Sequence, residues 1–333
     1  MIDARRLYFT DPCEVEVRSV TLDAPEEGEV VVETAESGIS PGSELLVYRG
    51  EFPEETAVDE TIEALAGTFE YPLPYGYAAV GTVTDCGAGV DESWRGRTVF
   101  AFEPHADRFV ASTDTLVPLR EGITPTEATL LPSVETATNL VLDGNPRVGE
   151  EVVVFGAGLV GLCTVHVLSQ FPLSNLTVVE PVATRRRLAA QFGADRAIAP
   201  AAVGSDAAPS AVDMVYELSG QPATLDDAIE TVGYDGRVVV GSWYGKKRAP
   251  INLGGSFHRE RISLESSQVS TIDPDLRGRW DRERRFDVAF DHLQTLDTER
   301  LCGEAFAFDA AADAYRTLAD GTVKRPHVTF TYR

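Results

Sequence analysis

Residues 151–161 read EVVVFGAGLVG, an apolar β-forming run that leads into Gly156, Gly158 and Gly161 at G-x-G-x-x-G spacing. The chemistry open to such a turn is the binding of a pyrophosphate. Gly156 allows the tight strand-to-helix turn, Gly158 lets the backbone approach the phosphates and Gly161 permits close helix–strand packing. The helix that follows offers unpaired N–H groups and positive potential at its N-terminus. A second apolar run, LTVV, ends in Glu180, whose carboxylate can accept the ribose hydroxyls of a dinucleotide. The amides of Leu159 and Val160, the strand end at Ser219 and Gly220, and Gly241 complete the expected contacts. Together they predict NAD or NADP. Glu180 favours NAD because a carboxylate repels a 2′-phosphate; the run Arg185, Arg186 and Arg187 keeps NADP open, with Arg185 able to stack on adenine or take that phosphate.

These residues need a scaffold that delivers several strand ends to one edge. From about residue 125 the sequence supplies it, with a helical LLPSVETATNLVLDG and then strand candidates at 152–155, 176–180, 212–218, 237–242 and 262–266. Helical ATRRRLAAQFGA and PATLDDAIETVG lie between them, and alternating β and α units predict a doubly wound parallel sheet. Before residue 120 the pattern is different: alternating runs such as EVEVRSVTL and EVVVETAES are separated by the turn-forming APEEG and SPGS. The tail predicts a helix with Phe286, Phe290 and Leu293 on one face, a short strand, the helix FDAAADAYRTLADG and a last strand, HVTFTY.

That order resembles the medium-chain dehydrogenase/reductase superfamily over nearly the whole chain. GISPGSELLVYRG at 38–50 is similar to its glycine-bounded segment that normally carries a zinc-binding Cys, and GYAAVGTV at 76–83 to its G-H-E-x-x-G-x-V. GRTVFAF at 96–102 is similar to its G-D-R-V strand, and VVVFGAGLVGL with the later FGAD to its coenzyme domain. The resemblance implies an α/β protein with a β-rich GroES-like catalytic domain at 1–122, a Rossmann coenzyme domain at 123–272 and a C-terminal return at 273–333. It also implies an NAD(P)-dependent, alcohol dehydrogenase-like oxidoreductase with a small-molecule substrate, assembled as a homodimer or homotetramer.

The departures from that family matter as much. Where its zinc-dependent members place metal ligands, this chain has Pro41, Tyr77 and Ala78, and the helix at 131–140 offers Glu135 but no Cys. Neither a catalytic nor a structural zinc is expected. Without a Lewis acid two chemistries stay open. A hydroxyl or imidazole can exchange the proton of an alcohol or ketone, or hydride can add to a conjugated C=C as in zinc-free quinone and enoyl reductases. The turn Ser40-Pro41-Gly42-Ser43-Glu44 is also similar to the S-x-G-T-E of bacteriochlorophyllide-type dehydrogenases, which act on a secondary hydroxyl. A methyltransferase, which also places an acid after its second strand, fits the β-rich N-terminal domain poorly; a nucleotide-binding homologue without catalysis is compatible with the fingerprint.

Four residues are candidates for acid–base work. Tyr77 stands in place of a zinc-binding His, either as a proton donor or as an aromatic filling the vacated pocket. Ser43 matches a family Ser/Thr that relays a proton, Glu44 is either a base or a structural partner, and His258, in GGSFHRER, offers a group that titrates near neutrality. His105, His166, His292 and His327 suit loop, helix or strand-edge positions without a chemical role, and RGRWDRERR at 277–285 reads as an exposed or subunit-contact helix paired with carboxylates or as a grip for an anionic group of a substrate.

Composition limits the partners. With 53 acidic against 29 basic residues the net charge is -24, and Lys246, Lys247 and Lys324 are the only lysines. Strong acidity with Arg in place of Lys resembles proteins of salt-in halophiles, and such a field repels nucleic acid and anionic membranes. Cys13, Cys86, Cys163 and Cys302 form no C-x-x-C, the N-terminus MIDARRLYF lacks an apolar signal core, and the longest apolar stretch is broken by glycines. A cytoplasmic protein is expected.

Overall fold

Alternating side chains give a hairpin of β1 (Ile2–Asp11) and β2 (Glu14–Leu22), with Leu7 and Phe9 buried on one face of β1. The apolar core of β3 (Glu29–Ile39) runs through the middle of a sheet, and SPGSEL then turns into α1 (Pro41–Tyr48). Pro41 suits the first helical position, where its missing N–H costs nothing. Next come β4 (Ala79–Cys86), β5 (Thr98–Ala101), β6 (Arg108–Ser112), β7 (Val117–Pro118) and α2 (Pro125–Ala128), which starts on a capping box of Thr124 and Glu127.

After α3 (Leu131–Gly144) the β/α alternation begins: β8 (Glu151–Phe155), α4 (Leu159–Leu168), β9 (Asn175–Val179), α5 (Ala183–Gln191), β10 (Arg196–Ile198), β11 (Val212–Glu217), α6 (Thr224–Thr231), β12 (Val232–Val240), α7 (Ser256–Arg259) and β13 (Ser263–Ser266). Its sheet is parallel throughout in the order β10-β9-β8-β11-β12-β13. The order reverses between β8 and β11, which opens a crevice at the carboxyl ends of those two strands. The strands are legible as continuous apolar runs because both faces are covered: Val152, Val153 and Val154 are all fully buried. Then follow α8 (Arg282–Thr295), α9 (Thr298–Leu301), β14 (Cys302–Ala307), α10 (Ala311–Ala319) and β15 (His327–Thr331).

The computed structural model describes residues 1–206 and 208–332. By contacts the chain forms two units, Met1–Pro132 with Thr298–Arg333, and Ser133–Asp297. In the first, the sheet runs β14-β15-β3-β4-β5-β7 with β6 also paired to β3, so the returning tail contributes an interior strand. An aromatic core of Phe9, Tyr48, Tyr75, Phe308, Tyr315 and Phe330 packs against it. Among the described residues no helix is long and apolar enough to cross a membrane.

Candidate functional site

The second unit holds the glycine turn, and its three glycines differ in what surrounds them. Gly156 has φ +101, and a Cβ there would lie 2.6 Å from the carbonyl oxygen of Leu218, the residue following β11. A Cβ on Gly161 would lie 2.2 Å from the Gly156 oxygen, so α4 sits directly on the turn. Gly158, the N-cap of α4, differs: a Cβ there meets nothing within 4 Å. The turn is closed where the protein packs on itself and open at the residue assigned to the phosphates. Leu159, Val160 and Gly161 follow as the first residues of α4, whose leading amides an α-helix leaves unpaired.

Glu180 ends β9 nearly buried, 3% exposed, with Oε2 accepting the Ala157 amide at 2.8 Å and Oε1 the Val182 amide at 2.8 Å. Each oxygen retains a second lone pair. Arg186 is fixed to the Glu180 and Pro181 carbonyls at 2.6 and 2.7 Å, whereas Arg185 is half-buried and Arg187 exposed. At the other strand ends, the Ser219 amide donates to buried Glu217 at 2.9 Å, and the Gly220 amide to Ser242 Oγ at 2.9 Å. Gly241 is a packing glycine, since its Cβ would strike Leu140 and Leu218 at 2.6 Å.

Tyr77, Ser43 and Glu44 come together in the first unit. The half-buried Tyr77 hydroxyl donates to Ser40 Oγ at 2.5 Å and lies 2.6 Å from Ser43 Oγ. With that direction set, Ser43 donates to Tyr77, Tyr77 to Ser40, and the Ser40 hydrogen is left over. Ser40 is the N-cap of α1 but does not cap it through its side chain. Burial pushes the Tyr77 phenol up; the Ser40 and Ser43 hydrogen bonds work against this, and the carboxylates of Glu44 and Asp59 add to it.

Glu44 is fully buried, with both carboxylate oxygens engaged. Its Oε1 accepts the Ser40 amide at 2.6 Å, and its Oε2 accepts the Tyr315 hydroxyl and faces His105 Nε2 at 3.0 Å. His105 Nδ1 is 2.6 Å from Ser37 Oγ, which is 2.7 Å from the Tyr332 hydroxyl. The His105 ring occupies the space where Gly76 lacks a side chain: a Cβ there would lie 2.6 Å from it, at φ +110. Expected to be an unremarkable loop residue, His105 is instead fully buried, and nothing in its spacing from Ser37 or Glu44 announces this. His258 lies exposed on α7 in the second unit, outside this cluster.

Of the positions that would correspond to zinc ligands, Pro41 and Ala78 carry no donor atom, and Tyr77 is engaged as described. Glu135 is held by Arg285 at 2.7 Å, with both side chains nearly buried, and Arg285 also donates to Asn139 Oδ1 at 2.6 Å. Burial raises the Glu135 carboxyl and Arg285 opposes that. The end of the Arg-rich segment is therefore a buried anchor, contrary to its reading as part of an exposed patch. Among the described residues no group of three or more His, Cys, Asp or Glu could hold a metal.

Residues 160–289 match a family model described as zinc-binding dehydrogenase, a span that covers most of the glycine turn's unit and none of positions 41, 77 and 78. The chain is 25% identical to the D-guloside 3-dehydrogenase of Escherichia coli over 74% of its own length and 73% of that protein's. To the 2-desacetyl-2-hydroxyethyl bacteriochlorophyllide A dehydrogenase of Cereibacter sphaeroides it is 28% identical, over 72% and 73%. The solved structure of a short chain alcohol dehydrogenase from Escherichia coli, in complex with NADH, matches 99% of this chain with 99% of its own, at a TM-score of 0.80 and 19% identity.

Proposed function

The chain belongs to the medium-chain dehydrogenase/reductase superfamily, and on that premise we propose that it is a zinc-independent, NAD(P)-dependent oxidoreductase that exchanges hydride with a hydroxyl or carbonyl carbon of a small molecule. The observation that carries the reading is Gly158: between two glycines whose side-chain space is filled by backbone, its own is empty, as a pyrophosphate requires. Gly156, Gly158 and the leading amides of α4 would hold the phosphates, and Glu180 the ribose, which favours NAD. When bound, the nicotinamide supplies the hydride acceptor or donor.

The residues do not fit a zinc ion, since two of the four positions lack a donor, one is spent on serines and one is ion-paired. Oxygen chemistry then falls to the hydroxyls. Each hydroxyl both donates and accepts, so the chain Ser43–Tyr77–Ser40 can relay a proton between a substrate oxygen at Ser40 and solvent water at half-buried Ser43, each hydroxyl taking up one proton as it gives up another, outward to a developing alkoxide or inward from a substrate alcohol. Ser40, with the unassigned hydrogen, is its outer end. Named relatives act on hydroxyls of a sugar derivative and of a macrocycle side chain, which supports a secondary alcohol or its ketone as the substrate class.

Titration with NADH and with NADPH in molar KCl, followed by nicotinamide fluorescence, tests the cofactor; no binding of either overturns the proposal. Elemental analysis of protein purified without chelator tests the metal, and one zinc per chain would sink that part. Tyr77→Phe should lower kcat on any alcohol found by screening by about 10²-fold, and undiminished turnover makes the phenol a packing group.

A further inference from the structure

Resting on the reading of Tyr77 as part of the proton-exchanging hydroxyls, we infer that Glu44 and His105 are positioning residues: a buried anion, held in place by a one-way run of hydrogen bonds, that fixes Ser40 and keeps the Tyr77 hydroxyl a donor.

The assignment follows from counting hydrogens. Glu44 receives the Ser40 amide and the Tyr315 hydroxyl. If the His105 Nε2–H also donates to Glu44, then Nδ1 must accept from Ser37, and Ser37 accepts from Tyr332. Every hydrogen then has an acceptor, in the order Tyr332 to Ser37 to His105 to Glu44. Reversing the run with a doubly protonated ring would turn the Ser37 hydrogen toward Tyr332 and send the hydrogen of that half-buried residue out to solvent. With the neutral Nε2–H ring beside an ionised carboxylate every hydrogen of the run has an acceptor inside the protein, and that is the arrangement assigned here.

Two consequences reach Tyr77. The Ser40 amide is tied to Glu44, which fixes the turn so that the Ser40 hydroxyl faces Tyr77 instead of capping α1. The Glu44 charge also disfavours a phenolate beside it. Asp59 faces the same phenol and reinforces this, and Tyr75, whose ring meets that of Tyr77 edge-on at 6.0 Å, stands beside it. The acting form of Tyr77 is thus the neutral phenol passing hydrogen bonds along the chain, and a standing phenolate base has no place here. Neither Glu44 nor His105 needs to touch substrate. Both act through Ser40 and through charge.

The test is the ionisation of Tyr77, read as the phenolate absorbance that wild type shows and Tyr77→Phe lacks, in wild type, Glu44→Gln and Glu44→Asp, with near-ultraviolet circular dichroism, which reports the aromatic core around Tyr48, Tyr75 and Tyr315, as a check that each variant is folded. Glu44→Gln should lower the Tyr77 midpoint by about one pH unit, a tenfold change in its ionisation constant, and Glu44→Asp should restore it. An unchanged midpoint in folded Glu44→Gln overturns the inference. Should Glu44→Gln not fold, wild-type protein labelled with 15N in histidine decides, the other four rings being assigned by single Gln substitutions. A neutral His105 ring carrying its hydrogen on Nε2 upholds the arrangement, and an imidazolium or Nδ1–H signature overturns it. Loss of NADH binding by the wild type would sink the dehydrogenase reading while leaving both measurements interpretable.

Discussion

Two methyl groups added three residues apart should have opposite effects. In Gly161→Ala the new Cβ starts 2.2 Å from the Gly156 oxygen, and contacts under 3.0 Å are essentially never found, so α4 and the turn must separate by 0.8 Å or more. Overpacking of this kind costs about 1–3 kcal/mol, offset by about 1 kcal/mol from the better helix propensity of Ala. The net loss should lower the melting temperature by several degrees, at roughly 2–4 °C per kcal/mol. In Gly158→Ala the backbone sits at φ -72 and ψ -171, which any residue adopts, and the methyl enters empty space. Its cost to the fold is confined to the poorer N-cap, about 0.5–1 kcal/mol. The methyl would occupy the place proposed for phosphate, and dinucleotide affinity should fall at least tenfold, about 1.4 kcal/mol. Thermal unfolding and nicotinamide fluorescence titration, run on both variants and wild type in molar KCl, separate the two effects. Gly158→Ala binding NADH and NADPH as tightly as wild type would refute the cradle, and Gly161→Ala as stable as wild type would refute the packing argument.

Arg285→Met should destabilise by about 3–5 kcal/mol in denaturant unfolding because it strands buried Glu135; the double change with Glu135→Leu should recover most of that, and a single-variant cost below about 1 kcal/mol would show that the pair is not buried as described. His327 is 1% exposed, and burial lowers its pKa from 6.5 to about 4. Its neutral form is the folded one, so its contribution is fully present above pH 6.5 and is lost as pH falls through about 4. At about 1.4 kcal/mol for each tenfold, that amounts to about 3 kcal/mol, read as the pH-dependent part of the stability difference between wild type and His327→Gln. A difference flat from pH 7 to pH 4 would contradict it. Finally, a net charge of -24 repels itself over a Debye length of about 10 Å at 0.1 M salt and about 3 Å at 1 M, so the melting temperature should rise with KCl; a flat response would place the acidic surface outside the stability balance.

The coenzyme unit was legible because its physics is local. Strands covered on both faces are written as unbroken apolar runs, and a G-x-G-x-x-G between such a run and a helix has few other uses. The short edge strand Arg196–Ile198 was not, having three residues and a polar start. Tyr77, Ser43 and Glu44 were legible as a group only through the motifs they replace. Their arrangement was not, because it depends on partners far away in sequence: Glu44 meets His105 and Tyr315 across separations of 61 and 271 residues. The burial of Arg285 is hidden from the sequence for the same reason. A guanidinium among other arginines looks like a solvated face until a carboxylate 150 residues earlier is placed beside it.

The tail's place in the first sheet constrains how the protein can be made. β15 lies between β14 and β3, and Tyr315 and Tyr332, which donate toward Glu44, are translated after residues 133–297. As the chain leaves the ribosome, residues 133–297 can complete their own sheet, while β3 waits with an open edge and Glu44 without its full set of donors. A chain ending before residue 298 would therefore keep every residue of the proposed nucleotide cradle while lacking Tyr315 and Tyr332, and truncating the tail should abolish catalysis while leaving dinucleotide binding intact.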